Sequence, residues 1–464
     1  MEQMQRDRCG LGNDGKHGAI QCDKLMPRII PMRWLARGRT ILTVFLLAPL
    51  LAVGRGSGGA ASPVTHVDHG PNSARAQAQH FVLLVLLEGL RWDYAQRDGA
   101  RNLLALGKAG VSAPKGMNPS YPPLSFPNGL SIVTGLYPEH HGIVADNFFD
   151  PARKARFSSS DPEAESDGTW YSGTPLWSLA ESQGMRTACL FWPGSEAKIA
   201  GFRPTYYVRA GGEIDDEARV RQALEWLQLP AAYRPHLIAL SFSELDREGR
   251  QFGPEAQETK AAMLKMDALV GQLKAGLDAT GLPIDLVVVG DHGMARSEGG
   301  WIALDQFTGL TGFDTDGAML YGQSEAEREN VYNQLKQVSS LFVVYRRRNV
   351  PPQLHYRQNA RVGDPVVFAT GPYAIRAGAP GAGMADRPPS AGLPGFDPGV
   401  VPEMKAGFYA AGADIVVGAT VAPFENVNLY PWLAHLLGLT TPRTDGDLNI
   451  LSGTLRDGGG AATQ

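Results

Sequence analysis

The chain has 464 residues, 43% of them hydrophobic and 19% charged, so it is long enough to bury a large core. Its 43 Lys and Arg residues nearly balance 47 Asp and Glu residues, which excludes a generally basic protein that coats nucleic acid. The balance is uneven, since residues 1–61 hold nine basic and four acidic side chains. The remainder of the chain is therefore acidic.

The first segment has the order of a secretory leader. A basic stretch over residues 32–39 precedes an apolar segment over residues 40–53, and small residues follow up to Ala61. The apolar part is shorter than the roughly 20 residues that cross a bilayer. We predict a leader over residues 1–61, with a signal peptide around residues 33–61 and an exported, periplasmic or extracellular product. Membrane contact is expected only if the leader stays uncleaved.

The residues before the basic stretch have no periodicity that would predict a helix or strand. They can come from a start codon set too early, with Met26 and Met32 as the alternative starts.

Unbroken apolar runs follow the leader. Residues 81–87, 187–191, 237–242 and 284–290 have the composition of parallel strands that are buried on both faces. Helical patterns, such as residues 255–279, separate them. This alternation predicts an α/β fold with a central, mostly parallel sheet and helices on both faces. Ligands of such folds bind beyond the carboxyl ends of the strands.

Acidic residues follow three of these predicted strands. Glu88 comes after the first, Asp246 shortly after the third, and Asp291 after the fourth, with His292 next to it. A single acidic residue after a strand is commonly a helix cap or a turn former. Three at one edge of a sheet favour a metal site or a catalytic cluster.

The pattern changes after Met294. A polar helix is predicted over residues 325–336, a short apolar strand over 341–346, and Pro- and Gly-rich loops up to 395. We interpret residues 297–392, approximately, as a smaller insert that caps the sheet edge. The domain as a whole is predicted to cover residues 78–455.

Longer motifs carry a family resemblance. Residues 87–94 read LEGLRWDY, residues 125–143 read SFPNGLSIVTGLYPEHHGI, and residues 291–294 read DHGM. They resemble the nucleotide pyrophosphatase/phosphodiesterase family of the alkaline phosphatase superfamily, whose members read LDGFRxDY and TFPNHYTLVTGLYPExHGI at the first two. Further matches recur in family order from about residue 80 to 440. The resemblance implies an alkaline-phosphatase-like fold and hydrolysis of phosphodiester or pyrophosphate bonds.

The resemblance also implies a metal site with an alcohol nucleophile. The nucleophile position is Ser125, where the family usually has Thr. The zinc ion that activates it would be held by Glu88, Ser125, Asp291 and His292, with Glu88 replacing the usual Asp. Both replacements keep the functional group.

The second zinc ion of the family normally takes an Asp, a His four residues later and a distant His. These positions read Asp246, Arg250 and Pro394 here. Arginine does not ordinarily ligate cations and proline has no side-chain donor, so only one carboxylate remains. We therefore expect one zinc ion and regard a second site as doubtful.

Substrate-binding residues follow from the same resemblance. Phe126 takes the position of a base-stacking side chain, and Tyr206 lies where the family often has an aromatic that faces substrate. Asp146 replaces an amide that would donate to a phosphoryl oxygen. A carboxylate at this position repels an anion unless it is protonated or paired, and Arg250 is a candidate partner.

Two hypotheses result. The first is an exported hydrolase that acts on a small phosphate ester or nucleotide-like substrate through a Ser125 ester, with Arg250 supplying the positive charge of the missing ion. Its substrates would be phosphodiesters, pyrophosphates, phosphonates or sulfates. The alternative is a catalytically impaired family member that acts as a binding or scaffold protein.

Overall fold

The computed structural model describes residues 63–456 except 210–211, 213, 311–312, 339 and 378–389. The predicted leader, residues 1–61, lies outside the described residues and stays a prediction. Among the described helices, none combines the length and the apolar character needed to cross a bilayer.

The described strands, in chain order, are β1 (Val64–His66), β2 (Phe81–Leu87), β3 (Val111–Ser112), β4 (Asn147–Asp150), β5 (Ala155–Ser158), β6 (Thr187–Leu190), β7 (Tyr206–Val208), β8 (Leu237–Phe242), β9 (Ile284–Val289), β10 (Ala295–Arg296), β11 (Trp301–Ala303), β12 (Asp314–Asp316), β13 (Met319–Tyr321), β14 (Phe342–Tyr345), β15 (Val366–Ala369), β16 (Ala374–Arg376), β17 (Gly392–Leu393), β18 (Phe408–Ala411) and β19 (Ala419–Thr420).

The described α-helices are α1 (Ala74–Gln77), α2 (Tyr94–Asp98), α3 (Arg101–Ala109), α4 (Ser125–Thr134), α5 (Pro138–His141), α6 (Pro162–Ser166), α7 (Leu176–Ser182), α8 (Asp216–Trp226), α9 (Glu244–Phe252), α10 (Gln257–Thr280), α11 (Glu325–Lys336) and α12 (Leu429–Leu436).

Nine strands form the central sheet, in the order β1-β7-β6-β8-β2-β9-β18-β3-β19. The strands β7, β6, β8, β2 and β9 are parallel, whereas β1 and β18 pair antiparallel at either side of this group. The predicted central, mostly parallel sheet is confirmed.

Strand β2 shows why both faces of the sheet are covered. Its seven residues are all buried, and they alternate between two hydrophobic clusters. Leu84 and Leu86 pack on one face with residues of α4, α7 and α12, whereas Leu83 and Val85 pack on the other with residues of α3, α8 and α10. Each such buried side chain contributes about 1.5–3 kcal/mol of transfer free energy. The predicted helices on both faces are therefore present.

The register of the parallel strands aligns their carboxyl ends. Leu87 of β2 lies opposite Phe242 of β8, and Leu86 lies opposite Val289 of β9. The loops that carry the predicted acidic residues therefore leave the sheet side by side.

Part of the region predicted as an insert has a small core of its own. Strands β12, β13, β15 and β14 form a four-stranded sheet in that order, and α11 packs against β14. Its buried side chains, including Leu320, Val331 and Phe342, form a cluster separate from those of the central sheet. Helix α11 begins with a capping box, because Ser324 and Glu327 each accept a hydrogen bond from the other's backbone N–H.

Candidate active site

Ser125 is the first residue of α4. Of the first four positions of this helix, the Phe126 N–H donates to Asp146, residue 127 is a proline without N–H, and the Asn128 N–H donates to a carbonyl oxygen, which leaves the N–H of Ser125 itself. The buried side chain of Asn128 fixes the segment before it. Its Nδ2 donates to the carbonyl oxygens of Ser120, Pro122 and Leu124, at 3.2, 2.9 and 3.0 Å. Sequence analysis included Asn128 only within a motif and did not identify this role.

The Ser125 hydroxyl lies beside a histidine ring. Ser125 Oγ is 3.0 Å from His292 Nε2, and the other ring nitrogen, Nδ1, is 2.7 Å from the Gly293 carbonyl oxygen. A carbonyl only accepts hydrogen bonds, so Nδ1 carries the ring proton in the neutral histidine. The lone pair of Nε2 is therefore directed toward Ser125.

Asp291 is fixed by backbone donors. Its Oδ1 accepts hydrogen bonds from the N–H groups of Gly89 and His292, both at 2.8 Å, whereas its buried Oδ2 has no hydrogen-bond partner. Gly89 has a φ of +75°, and a Cβ there would lie 3.0 Å from Asp246 Cα. Glycine is thus required for this close approach.

Glu88 is positioned by a serine that sequence analysis missed. Ser241 Oγ, at the end of β8, donates to Glu88 Oε1 at 2.6 Å. Burial and the nearby carboxylate of Asp291 raise the pKa of Glu88 to about 8. This pKa reflects burial first and the nearby negative charges second.

Asp246 and Arg250 lie one turn apart on α9 and form an ion pair. Arg250 Nε donates to Asp246 Oδ2 at 2.6 Å, and the other oxygen of Asp246 is buried without a partner. Burial opposes the charge of Arg250, yet the carboxylates of Asp246 and Asp146 raise its pKa overall. The guanidinium therefore stays charged among these acidic groups.

Asp146 occupies the N-terminal end of α4. Its Oδ1 accepts a hydrogen bond from the Phe126 N–H at 3.1 Å. Burial raises the pKa of Asp146, and the charge of Arg250 works in the opposite direction. Arg250 is hydrogen-bonded to Asp246, and its relation to Asp146 is electrostatic.

These groups line a cavity of about 310 Å³. The predicted residues Glu88, Ser125, Phe126, Asp146, Asp246 and Arg250 are on its wall, together with four residues that were not predicted: Ser159, Glu165, Phe191 and Pro193. Burial and the charge of Glu196 raise the pKa of Glu165 to about 7. Phe191 ends the apolar run 187–191 that predicts a strand, and its positive φ of +60° is a feature that no sequence pattern indicated.

The structure places Tyr206 elsewhere. It lies on β7 level with Ala188, which is in turn aligned with Ile238 and Leu83, well before the carboxyl ends of the strands. Its ring stacks against His66 and Trp226, with centroids 5.0 and 5.6 Å away. Tyr206 is absent from the cavity wall, so the prediction that it faces substrate does not fit this packing.

The positions of the possible ligand atoms test whether these residues can hold the metal ion that the family resemblance implies. Within the described residues, no group of three or more His, Cys, Asp or Glu side chains is arranged as a metal-binding cluster. Even so, the unpartnered oxygens Asp246 Oδ1 and Asp291 Oδ2 lie 3.8 and 3.5 Å from His292 Nε2. Buried carboxylate oxygens without partners are costly, and a cation among them would satisfy both oxygens and the histidine lone pair. The chemistry of these residues therefore fits one cation.

The structure also shows where Pro394 lies, the residue that replaces the distant histidine ligand of the family's second zinc ion. Pro394 follows β17, which pairs with β10 immediately after the DHGM motif. A Cβ on the next residue, Gly395, would lie 3.4 Å from Leu124, which directly precedes Ser125. The residue next to Pro394 thus packs near Leu124, which precedes the proposed nucleophile in the chain.

Comparisons with known proteins agree with these motifs. A family model described as type I phosphodiesterase / nucleotide pyrophosphatase matches residues 82–397. An uncharacterized pyrophosphatase/phosphodiesterase of Schizosaccharomyces pombe is 33% identical over 79% of this chain and 79% of its own length. The rat ectonucleotide pyrophosphatase/phosphodiesterase family member 1 is 33% identical over 77% of this chain, which spans only 40% of the rat protein.

A solved structure is similar as well. The murine ectonucleotide pyrophosphatase/phosphodiesterase 5, in an inactive form in complex with AMP, superposes with a TM-score of 0.75 and 27% sequence identity. The match covers 81% of this chain and all of the murine chain.

Proposed function

Because the chain belongs to the type I phosphodiesterase / nucleotide pyrophosphatase family, we propose that it hydrolyses phosphodiester or pyrophosphate bonds with Ser125 as the nucleophile. Family resemblance makes it a hydrolase of this type. The observation that carries the proposal is the Ser125 hydroxyl, which stands at the start of α4 and 3.0 Å from His292 Nε2, at the edge of the cavity.

Ser125 would act in two steps. Its Oγ attacks phosphorus and displaces the leaving oxygen, which gives a phosphoryl ester on Ser125, and water then hydrolyses this ester to free the enzyme. The Ser125 N–H and the dipole of α4 would stabilise negative charge on the phosphoryl oxygens, beside Asp146, which already accepts the Phe126 N–H. The substrate is a small phosphate ester or a nucleotide-like molecule, by analogy with the AMP complex of the murine relative.

One cation, which we take to be zinc, fits this site, and the family is generally metal-dependent. Asp291, His292, Asp246 and Glu88, with the hydroxyl of Ser125, would hold it. When bound, such an ion neutralises phosphoryl oxygens and lowers the pKa of an alcohol. Asp246 joins this group because its unpartnered oxygen faces His292.

Arg250 supplies a permanent positive charge on the wall of the cavity. Its guanidinium is held by Asp246 and still lines the cavity, where it can meet a phosphoryl oxygen. This would replace part of the charge that a second ion gives elsewhere in the family.

We also propose export, on the strength of the basic and apolar stretches within residues 33–61. N-terminal sequencing of the mature chain would test this. A start within the first 61 residues that retains the apolar stretch would contradict cleavage.

The central experiment compares the unmodified chain with Ser125→Ala on a nitrophenyl phosphodiester, together with elemental analysis of bound metal. We expect about one metal ion per chain and a loss of roughly a thousandfold or more in turnover for Ser125→Ala. Ser125→Thr, the usual family residue, is the matched control and should remain active.

The rival hypothesis, a binding or scaffold protein, makes the opposite prediction. In that case the unmodified chain turns over no phosphodiester, phosphonate, pyrophosphate or sulfate ester, and Ser125→Ala changes nothing.

A further inference from the structure

A second and larger cavity lies apart from the site around Ser125. It has a volume of about 980 Å³ and shares no lining residue with the first. Its wall combines the turn between β4 and β5, the end of β13, the first turns of α11 and residues 347–364. Five cationic side chains line it: Lys154, Arg328, Arg347, Arg348 and Arg357. We call it the basic cavity.

The two carboxylates on its wall both pair with a buried arginine that lies behind them. Glu325 and Asp364 both receive hydrogen bonds from Arg346, at 2.9 and 2.8 Å. Arg346 is only 2% exposed, does not line the cavity, and also pairs with Glu329. Glu325 is also 3.0 Å from Arg328 and 3.5 Å from Arg348, and Asp364 is 3.9 Å from Arg328, so both carboxylates pair with cations on the wall as well. Five cationic side chains against these two carboxylates still leave the wall with an excess of positive charge.

Among the described residues, three of the five wall cations have no carboxylate within ion-pair distance: Lys154, Arg347 and Arg357. In the described part of the chain, neither the Lys154 ammonium nor the Arg357 guanidinium has a hydrogen-bonding or ion-pair partner. Arg347 Nη1 donates to the carbonyl oxygens of Ala360 and Val362, which carry no net charge. Burial lowers the pKa of Arg347, the carboxylate of Asp364 works in the opposite direction, and the charges of Arg328 and Arg346 lower it further.

We propose that the basic cavity binds a small polyanion with two or more phosphoryl groups. Its volume is that of a pocket for a ligand of several hundred daltons, and Arg and Lys side chains are the usual partners of phosphoryl oxygens. Phe149 and Tyr321 give the wall an aromatic part, with their ring centroids 5.5 Å apart.

The β4–β5 hairpin contributes residues to both cavities. Asp146 and Ser159, at the open end of the hairpin, line the first cavity, and Pro151 and Lys154, at its turn, line the basic cavity. Strands of this length separate the two ends by roughly 15 Å. A ligand in the basic cavity would thus occupy a site of its own, beyond the proposed hydrolysis.

Calorimetric titration with methylenediphosphonate, whose P–C–P linkage resists hydrolysis, tests the proposal on the full chain. The double variant Lys154→Gln/Arg357→Gln removes two exposed charges from the basic cavity and should weaken binding roughly tenfold. The double variant Arg101→Gln/Lys115→Gln removes the same two residue types from exposed positions elsewhere and should change affinity less than about twofold. Turnover of the nitrophenyl phosphodiester should be the same in both variants and in the unmodified chain.

Three outcomes would overturn the proposal. No measurable binding to the unmodified chain means that the cavity has no such ligand. Equal affinity in the Lys154/Arg357 variant places the diphosphonate elsewhere, for instance in the cavity around Ser125. If both double variants lose affinity equally, the binding depends on the overall surface charge and not on the basic cavity.

Discussion

Arg250 is the residue that most distinguishes this site from the family pattern, and its ion pair with Asp246 shows what it does. The pair is partly buried, with side-chain exposures of 32% for Arg250 and 12% for Asp246. The guanidinium therefore serves two purposes: it compensates a carboxylate that would otherwise stand among Glu88, Asp146 and Asp291, and it lines the cavity beside Ser125.

Replacing Arg250 should separate a charge effect on catalysis from metal binding. We expect Arg250→Ala to lower turnover of the nitrophenyl phosphodiester by roughly one hundredfold or more, since a positive group near the phosphoryl oxygens is lost. Metal content per chain should change far less. Arg250→Lys keeps the charge without the planar fork and should fall in between. Equal losses of metal and turnover in Arg250→Ala would contradict the charge-substitute role.

Ser241 provides a second test, because it orients Glu88 without lining the cavity. Ser241→Ala leaves Glu88 Oε1 without its donor and should reduce turnover or metal affinity about 10–100-fold. Ser241→Thr keeps the hydroxyl and is the matched control. Activity and metal content that are unchanged in Ser241→Ala would show that Glu88 is placed by other contacts.

Strands and loops explain how much of the site could be predicted. The apolar run 81–87 predicts β2 with its full length, and the acidic residues after β2, β8 and β9 lie side by side because parallel strands share one edge. Tyr206 could not be placed in this way. Its position in the sequence indicates which strand carries Tyr206. The register of β7 against β6 determines how far along the strand this residue lies, and the sequence does not specify that register.

Other contacts have no sequence signal at all. The hydrogen bond from Ser241 to Glu88 joins two strands whose pairing is set by tertiary packing, and Glu165 reaches the cavity from a separate helix, α6. Long-range contacts of this kind depend on three-dimensional register, which a single sequence does not specify.

The loop after β9 illustrates how an element fixes the geometry of the site. Gly293 follows His292 and donates its N–H to the Met404 carbonyl oxygen at 2.8 Å. A Cβ at this position would lie 1.8 Å from the Glu403 carbonyl oxygen, which is backbone and cannot rotate away. Only glycine fits between these two segments.

Gly293→Ala should therefore displace the loop that carries His292. We expect a loss of about 2–3 kcal/mol or more in the free energy of unfolding, together with loss of turnover. Gly300→Ala is the control, since nothing lies within 4 Å of a Cβ there. Denaturant unfolding of both variants measures the difference, and equal stability would mean that the backbone around residue 403 yields easily.

On the scale of the whole molecule, the two ends of the parallel strands carry different groups of charged side chains. The carboxyl ends hold the site around Ser125. At the opposite ends, Asp285 begins β9 with a fully buried carboxylate whose Oδ1 accepts the Asp414 N–H at 3.0 Å and whose Oδ2 has no partner. Asp414 in turn pairs with His80 Nδ1 at 2.7 Å.

This second group makes the stability of the fold depend on pH. Burial, and then the carboxylate of Asp414, raise the pKa of Asp285 from 3.8 to about 7. Between these two values the unfolded chain has lost the Asp285 proton while the folded chain keeps it. The contribution of Asp285 to the free energy of unfolding is therefore fully present below about pH 4, and it is lost as the pH rises to about 7.

Asp285→Asn removes this titration, because an amide stays neutral in both states. We expect the free energy of unfolding of Asp285→Asn, relative to the unmodified chain, to rise by about 2–4 kcal/mol from pH 4 to pH 8. A constant offset from the changed hydrogen bonding does not affect this slope. Asp305→Asn makes the same replacement at an exposed carboxylate and is the matched control. Parallel stability curves for Asp285→Asn and the unmodified chain would mean that Asp285 is ionised in the folded protein.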